Sequence, residues 1–225
     1  MKAIILAAGL GSRFKEITKK THKALLPIRG IPNLERTIQY LHDAEIRDIY
    51  IVTGHLKESF DYLIDKYNVK LIYNEKYREY NSIYSMYKVL DLLGDSFVID
   101  SDVVLFKNIF LNKPFMSTYY TILRGNNNNE WMPIVINNKV VDILVSNENL
   151  PSLIGISYWT IKDANSIKDE FYKYINKQYL ENAKLYWDNI PKSLLDTLNV
   201  TTKQIDVDSA YEMDNVDDYN YIMSK

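Results

Sequence analysis

The first hundred residues alternate between short apolar runs and segments whose apolar positions recur every three or four. Residues 2–7 (KAIILA) are apolar on both faces, which predicts a strand buried in a parallel sheet. Residues 33–45 set Leu34, Ile38, Leu41 and His42 at helical spacing. Residues 46–54 predict the next strand, 56–67 an amphipathic helix with Phe60, Leu63 and Ile64 on one face, and 69–74 a third strand. A third helix over 82–94 stops at Gly94, and a fourth strand over 96–105 carries Asp100 and Asp102. This alternation predicts an α/β fold: a Rossmann-like, mostly parallel sheet with helices on both faces. Ligands of such sheets bind beyond the carboxyl ends of the strands. The loop after the first strand and the acids of the fourth then share one crevice.

Beyond residue 110 the pattern changes. Residues 117–123, 131–136, 139–145 and 152–161 read as strands joined by tight turns, and INNKVV (136–141) is a hairpin signal. Residues 161–179 and 182–198 are helical in part, 202–207 predicts a last strand, and 211–223 holds a short helix. The asparagine-rich stretch 125–130 predicts a polar loop. Residues 1–225 are expected to form a single domain, with the smaller, β-rich portion in its second half.

Net charge of −2 lacks the basic surplus of a nucleic-acid binder, so any cationic site must be local. With no cysteine, disulfides, thiolate nucleophiles and cysteine-ligated zinc are excluded, and a reducing cytoplasm is the expected compartment. His22, His42 and His55 are far apart in sequence and form no HExxH pairing, so zinc is not expected. The apolar start is short and broken by Arg13 and Lys15, which favours a buried strand over a signal peptide. No run approaches a membrane span, and no membrane insertion is expected.

The segment LAAGLGSRF (6–14) leaves the first strand through very small side chains. A dinucleotide fingerprint would require a third small residue where Phe14 stands, and the Walker pattern is absent. Small residues still let a ligand lie on backbone N–H groups, with Arg13 and Lys23 supplying positive charge close behind. On spacing alone, a plain tight turn is an equal reading. Asp100 and Asp102 fall on one face if the strand persists, as a metal site or as a solvated turn. Glu212 and Asp214 likewise alternate onto one face, and Asp214 either holds a metal or caps the last helix.

The longer run LAAGLGSRF…T…HKALLPI resembles the signature of the nucleotidyltransferases that activate sugar, polyol and choline phosphates with NTPs. Leu6, Ala7, Ala8, Gly9, Gly11, Arg13, Thr18 (or Thr21), Lys23 and Pro27 occupy its positions. His22 stands where proline usually precedes the lysine, and Asp100-Ser101-Asp102 stands for the family's D-A-D. Within the family the chain is most similar to the bacterial CTP:phosphocholine cytidylyltransferases, through residues 60–63, 81–87, 98–110, 129–131, 185–189 and 211–219. A closely similar group acts on 2-aminoethylphosphonate.

The resemblance implies a nucleotide-diphospho-sugar transferase type of fold, with a nucleotide-binding half (1–110) and an acceptor-binding half (111–225). It implies transfer of CMP from CTP to phosphocholine, for surface-glycan or lipid decoration, with Mg²⁺ as cofactor. Asp102 and Asp214 would hold the metal, with Asp100 in support, and Lys23 and Arg13 would meet the phosphates. Leu6, Ala7, Ala8, Gly9 and Gly11 would receive cytosine and ribose, with Gly54, Asn81 and Ser85 close by. Tyr84, Trp131, Trp159, Tyr186, Trp187, Asp188 and Glu212 are the acceptor-site candidates. A trimethylammonium group is held by aromatic faces and a carboxylate, and the LYWDN stretch (185–189) offers both. The expected partners are small molecules, with no nucleic acid; monomer and homodimer both stay open. The alternatives are another acceptor, such as 2-aminoethylphosphonate or a sugar 1-phosphate, and a non-catalytic nucleotide-binding protein. Arg13, Lys23, Asp102 and Asp214 together speak against the last. Phe14 speaks against an NAD-dependent dehydrogenase.

Overall fold

A computed structural model describes residues 1–125 and 129–225. Strand β1 (Lys2–Ala7) lies inside the sheet with a core layer on each face, so Ala3, Ile4, Ile5 and Ala7 are all buried. After three short 3₁₀ turns, β2 (Pro27–Ile28) and β3 (Ile31–Pro32) form a small hairpin leading into α1 (Asn33–Asp43). Then come β4 (Asp48–Thr53), α2 (Tyr62–Tyr67), β5 (Lys70–Tyr73), α3 (Ser82–Tyr87) and β6 (Ser96–Asp100). β4 and β6 flank β1 in parallel, and β5 adds in parallel to β4. The parallel sheet expected from the apolar runs is therefore present.

Two expected helices are shorter than their patterns. The 56–67 segment divides into a 3₁₀ turn, Lys57–Phe60, and α2, where Phe60 and Leu63 are buried but Ile64 is exposed. The 82–94 segment leaves helical geometry at Val89 (φ −126°) after α3. The fourth strand also divides. β6 stops at Asp100, and β7 (Val103–Leu105) leaves the main sheet to pair with a strand near the chain's end.

The second half adds β8 (Ser117–Ile122), the hairpin β9 (Glu130–Ile136) and β10 (Lys139–Ser146), and β11 (Ser152–Trp159). It continues through α4 (Ile161–Phe171), α5 (Lys177–Leu180), α6 (Asn189–Lys192), β12 (Val200–Ile205), β13 (Ala210–Glu212) and α7 (Val216–Met223). Asn137 and Asn138 both take positive φ at the hairpin tip, the geometry that joins twisted strands in two residues. Of the helix expected over 182–198, only α6 forms as α-helix. The polar loop expected at 125–130 lies partly outside the described residues.

The main sheet has the order β12-β8-β11-β6-β1-β4-β5, with β11 antiparallel to both neighbours. It runs without a break from the first half into the second. Strand alternation divides its packing into two layers. Ala3, Ile5 and Ala7 face α1, whereas Ile4, Leu6 and Ala8 face α3, α4 and the Trp159–Trp187 cluster.

Candidate active site

The loop that follows β1 is held by its own neighbours. Thr18 Oγ1 donates to the Gly11 carbonyl at 3.0 Å, so Thr18 rather than Thr21 is the framework threonine. His22 Nδ1 accepts from the Ala24 N–H at 3.1 Å, which leaves the ring proton on Nε2, donated to the Gly9 carbonyl at 3.1 Å. His55 completes the frame: its N–H donates to the Ala8 carbonyl at 3.2 Å, and its Nε2 donates to the Thr18 carbonyl at 2.6 Å. The two rings, distant in sequence, stand 6.3 Å apart. Burial, above all, pushes His22 down to about 4. The Gly9 bond and Asp102 oppose that shift, and Lys23 and His55 add to it. Gly54 lies beside this frame. A Cβ there would sit 2.5 Å from the Ala8 carbonyl oxygen and 2.6 Å from Tyr77 Cβ, so only glycine lets β4 end this close.

Across the loop lie the acids. The β1–β6 register sets Leu6 opposite Asp100. Lys23 Nζ pairs with Asp102 at 2.7 Å, and Arg13 with Asp214 at 3.1 Å. The β7–β13 pairing brings the chain's end here, and the Met213 N–H donates to the Asp102 carbonyl at 3.0 Å. Burial alone would lower the Lys23 ammonium, but Asp102 and Asp214 outweigh it and its pKa lies above the ordinary value. Desolvation, with Asp102, Asp188 and Glu212 adding, holds Asp100 well above the usual carboxylate range. Gly155, in left-handed geometry (φ +64°), bulges β11 where a Cβ would meet Asp100 Oδ2 at 2.9 Å. Glu212 pairs with Arg124 at 2.9 Å, yet burial raises its carboxyl to about 7. The helix cap is Asn215, with Asp218 closing the capping box, so Asp214 is left to face the cavity.

The far wall is aromatic. Trp187 is 2% exposed, with Asp188 beside it, and burial lifts the Asp188 carboxyl to about 7. Tyr186, 51% exposed, stands edge-on to Trp131 at 6.3 Å, and the Lys192 ammonium lies 5.4 Å from the Trp131 ring centre. Behind them Tyr119 is buried, its hydroxyl without a partner among the described residues.

These three surfaces enclose one cavity of about 620 Å³. Of the nucleotide-side candidates, Leu6, Ala8, Gly9, Arg13, Lys23, Asn81 and Ser85 line it. So do Asp100, Asp102 and Asp214, with Trp131, Tyr186, Trp187, Asp188 and Glu212 on the acceptor side. Ala7 does not, because alternation turns it into the opposite core layer. Gly11 and Gly54 shape the loop from behind rather than lining the cavity. Trp159 is a correction: it is fully buried, edge-on to Trp187 at 6.1 Å, with its Nε1 donating to Ser157 Oγ. Tyr84 is another: its hydroxyl donates to Glu75 at 2.6 Å, and it does not line the cavity. Asn81 borders the cavity, but its amide N–H groups donate to the Tyr179 and Asn182 carbonyls and its Oδ1 caps α3. It ties α3 to the acceptor wall.

Tyr77, Tyr80, Tyr119 and Gly155 also line the cavity and carried no local signal, and Glu130, within the 129–131 stretch of the resemblance, lines it too without having been singled out. Arg124, paired with Glu212, was not among the residues the sequence singled out. Asp102 and Asp214 present hard oxygen ligands on one cavity, and each already draws a cationic side chain to that point. They fit a magnesium ion, which takes one or two carboxylates and fills its shell with phosphate oxygens and water. Among the described residues, no three acids or histidines converge into an all-protein metal cage.

Residues 3–135 match the family model described as the MobA-like NTP transferase domain. The choline-phosphate cytidylyltransferase of Haemophilus influenzae is 54% identical over 100% of this chain and 97% of its own length. The 2-aminoethylphosphonate cytidylyltransferase of Lancefieldella rimae is 31% identical over 95% of this chain and 88% of its own. Among solved structures, the CTP:phosphocholine cytidylyltransferase of Streptococcus pneumoniae superposes with a TM-score of 0.94 at 41% identity, covering 99% of this chain and 97% of that one.

Proposed function

The chain belongs to the MobA-like NTP transferase family, and from that premise we propose that it transfers CMP from CTP to phosphocholine, forming CDP-choline and pyrophosphate. The observation that carries this reading is a cavity with two chemically distinct ends. One end is a small-residue loop with Arg13 and Lys23. The other is an aromatic wall of Trp131, Tyr186 and Trp187 around Asp188.

The acceptor phosphate oxygen attacks the α-phosphorus of CTP, and the bond to the bridging oxygen of pyrophosphate breaks. The attacking phosphate oxygen is already ionised at neutral pH, so no general base is required. The chain's work is alignment and charge neutralisation. Lys23, 13% exposed and held in its charged form by Asp102, is what an incoming phosphate competes for. Arg13, more exposed, holds the departing β- and γ-phosphates. Magnesium held by Asp102 and Asp214 would supply further neutralisation of the phosphate oxygens. Small residues at Ala8 and Gly9 let the nucleoside lie on the backbone, and the two histidines keep that backbone in place. At the far end, aromatic faces and the Asp188 carboxylate suit a quaternary ammonium, which cannot donate strong hydrogen bonds. This reading puts the enzyme in the cytoplasm, where nucleoside triphosphates are made.

A primary ammonium, as in 2-aminoethylphosphonate, would need more carboxylates. Glu130 and Glu212 are present, but Arg124 lies near both and pairs with Glu212. The rings therefore favour choline.

The test is pyrophosphate release with Mg²⁺, crossing the four NTPs with phosphocholine, phosphoethanolamine, 2-aminoethylphosphonate and glucose 1-phosphate. Activity confined to CTP with phosphocholine is expected. Activity only with another acceptor would overturn the aromatic-wall assignment, and silence in folded protein would overturn catalysis itself.

A further inference from the structure

We infer that Asn74, a buried residue that does not line the cavity, sets the hydrogen-bonding direction of Ser85 and with it the preference for cytosine over uracil. This rests on the CTP reading and names a positioning residue within it. Asn74 follows β5, is 0% exposed, and its own N–H donates to the Thr53 carbonyl at 2.8 Å. Its side-chain orientation follows from hydrogen-bond logic. The Lys76 backbone N–H, which can only donate, meets Asn74 Oδ1 at 2.8 Å. The amide nitrogen must then point the other way, and Nδ2 reaches Ser85 Oγ at 2.9 Å. An amide N–H can only donate, so Ser85 Oγ accepts there.

Ser85 therefore keeps its own proton for a different partner. A helical serine often gives that proton to the carbonyl one turn back. Among the described residues, however, no oxygen accepts from Ser85 Oγ, and the Asn81 carbonyl takes the Tyr84 N–H at 3.1 Å. Ser85 lines the cavity, so the proton is offered there. Cytosine carries a lone pair at N3, where uracil carries N–H. With one lone pair taken by Asn74, the hydroxyl gives its proton to the first. To accept from the N–H of the second on its other lone pair, it must turn that proton to where no acceptor lies among the described residues, so the mismatched base leaves one buried polar group unpaired.

The test compares wild type with Asn74→Asp, Asn74→Ala and Ser85→Ala. Binding of CTP and UTP without acceptor is measured by calorimetry at pH 8, where an aspartate facing two donors is ionised. Asn74→Asp is nearly isosteric. It keeps the Lys76 contact but takes the serine proton, turning the hydroxyl round. Its CTP:UTP affinity ratio is expected to fall about tenfold, as far as that of Ser85→Ala. Asn74→Ala frees the hydroxyl and gives a smaller fall. It also serves if the aspartate variant melts early. A ratio unchanged in the Asn74 variants while Ser85→Ala lowers it overturns the role of Asn74. A ratio unchanged in all three overturns the reading of Ser85. Wild type that fails to prefer CTP overturns the functional reading instead.

Discussion

At the scale of single residues, charge and burial decide most of the site's behaviour. Lys23 sits at the centre of the phosphate chemistry but contributes little to the core, its ammonium being paired with Asp102. Lys23→Ala should lower kcat by at least about a hundredfold while the melting temperature shifts little. Near-normal turnover would remove Lys23 from the mechanism. Asp188 titrates near 7 because burial penalises its charged form. Only the ionised form attracts a quaternary ammonium. Affinity for choline, which has no titrating phosphate, should therefore fall as pH drops from 8 to 6, and Asp188→Asn should weaken that dependence, leaving the part due to Glu212, whose carboxyl is also raised to about 7. His22 bears on stability rather than on binding. Its folded pKa of about 4 lies below the 6.5 of the unfolded chain, so the folded state binds a proton less readily. The stabilisation is complete above pH 6.5 and is lost as pH falls toward 4, by about 3 kcal/mol. His22→Gln keeps an acceptor for Ala24 and a donor for Gly9 without titrating. Thermal melts at pH 7 and pH 5 should show a shallower acid loss in that variant.

At the scale of elements, the site depends on where strands stop. β6 ends at Asp100 because β7 leaves the sheet to meet β13, and this detour brings Asp102 and Asp214 together. β4 ends against the loop after β1 only because Gly54 carries no side chain. Gly54→Ala should push the Ala8 backbone and Tyr77 apart, and fluorescence titration should show weakened nucleotide binding. A destabilisation of about 1–3 kcal/mol is expected from the overpacking. Unchanged affinity would show that the close approach has no part in binding.

At the scale of the whole molecule, the continuous sheet couples the two ends of the cavity. β11 from the second half pairs with β6 from the first, so Phe97 and Ile99 are buried by residues beyond 110. The chain should therefore melt in one transition. Trp131, Trp159 and Trp187 all lie in the second half, so their fluorescence reports on that half, while circular dichroism reports on both. Coincident transitions are expected, and two separated ones would show independent halves. Asn81 supports the same coupling, because its bonds to the Tyr179 and Asn182 carbonyls tie α3 to the acceptor wall.

The central strand, the small-residue loop with Arg13 and Lys23, and the paired acids at 100 and 102 were legible in the sequence. Each is a local pattern: apolar run, backbone-exposing turn, alternation. The strand–helix alternation was equally legible, because burial imposes a period on every element. Helix ends and strand ends were not, since Val89 leaves helical geometry with no glycine or proline to mark it, and β6 ends at Asp100 because β7 pairs with a strand more than a hundred residues later. Nor could sequence separate Trp159 from Trp187. Both are large and apolar, and only the packing of β11 turns one into the core and leaves the other on the cavity. His22 with His55, Arg124 with Glu212, and Asn74 with Ser85 are likewise tertiary facts. Hydrogen bonds and ion pairs between distant residues leave no period in the chain, and only the fold brings their partners within reach.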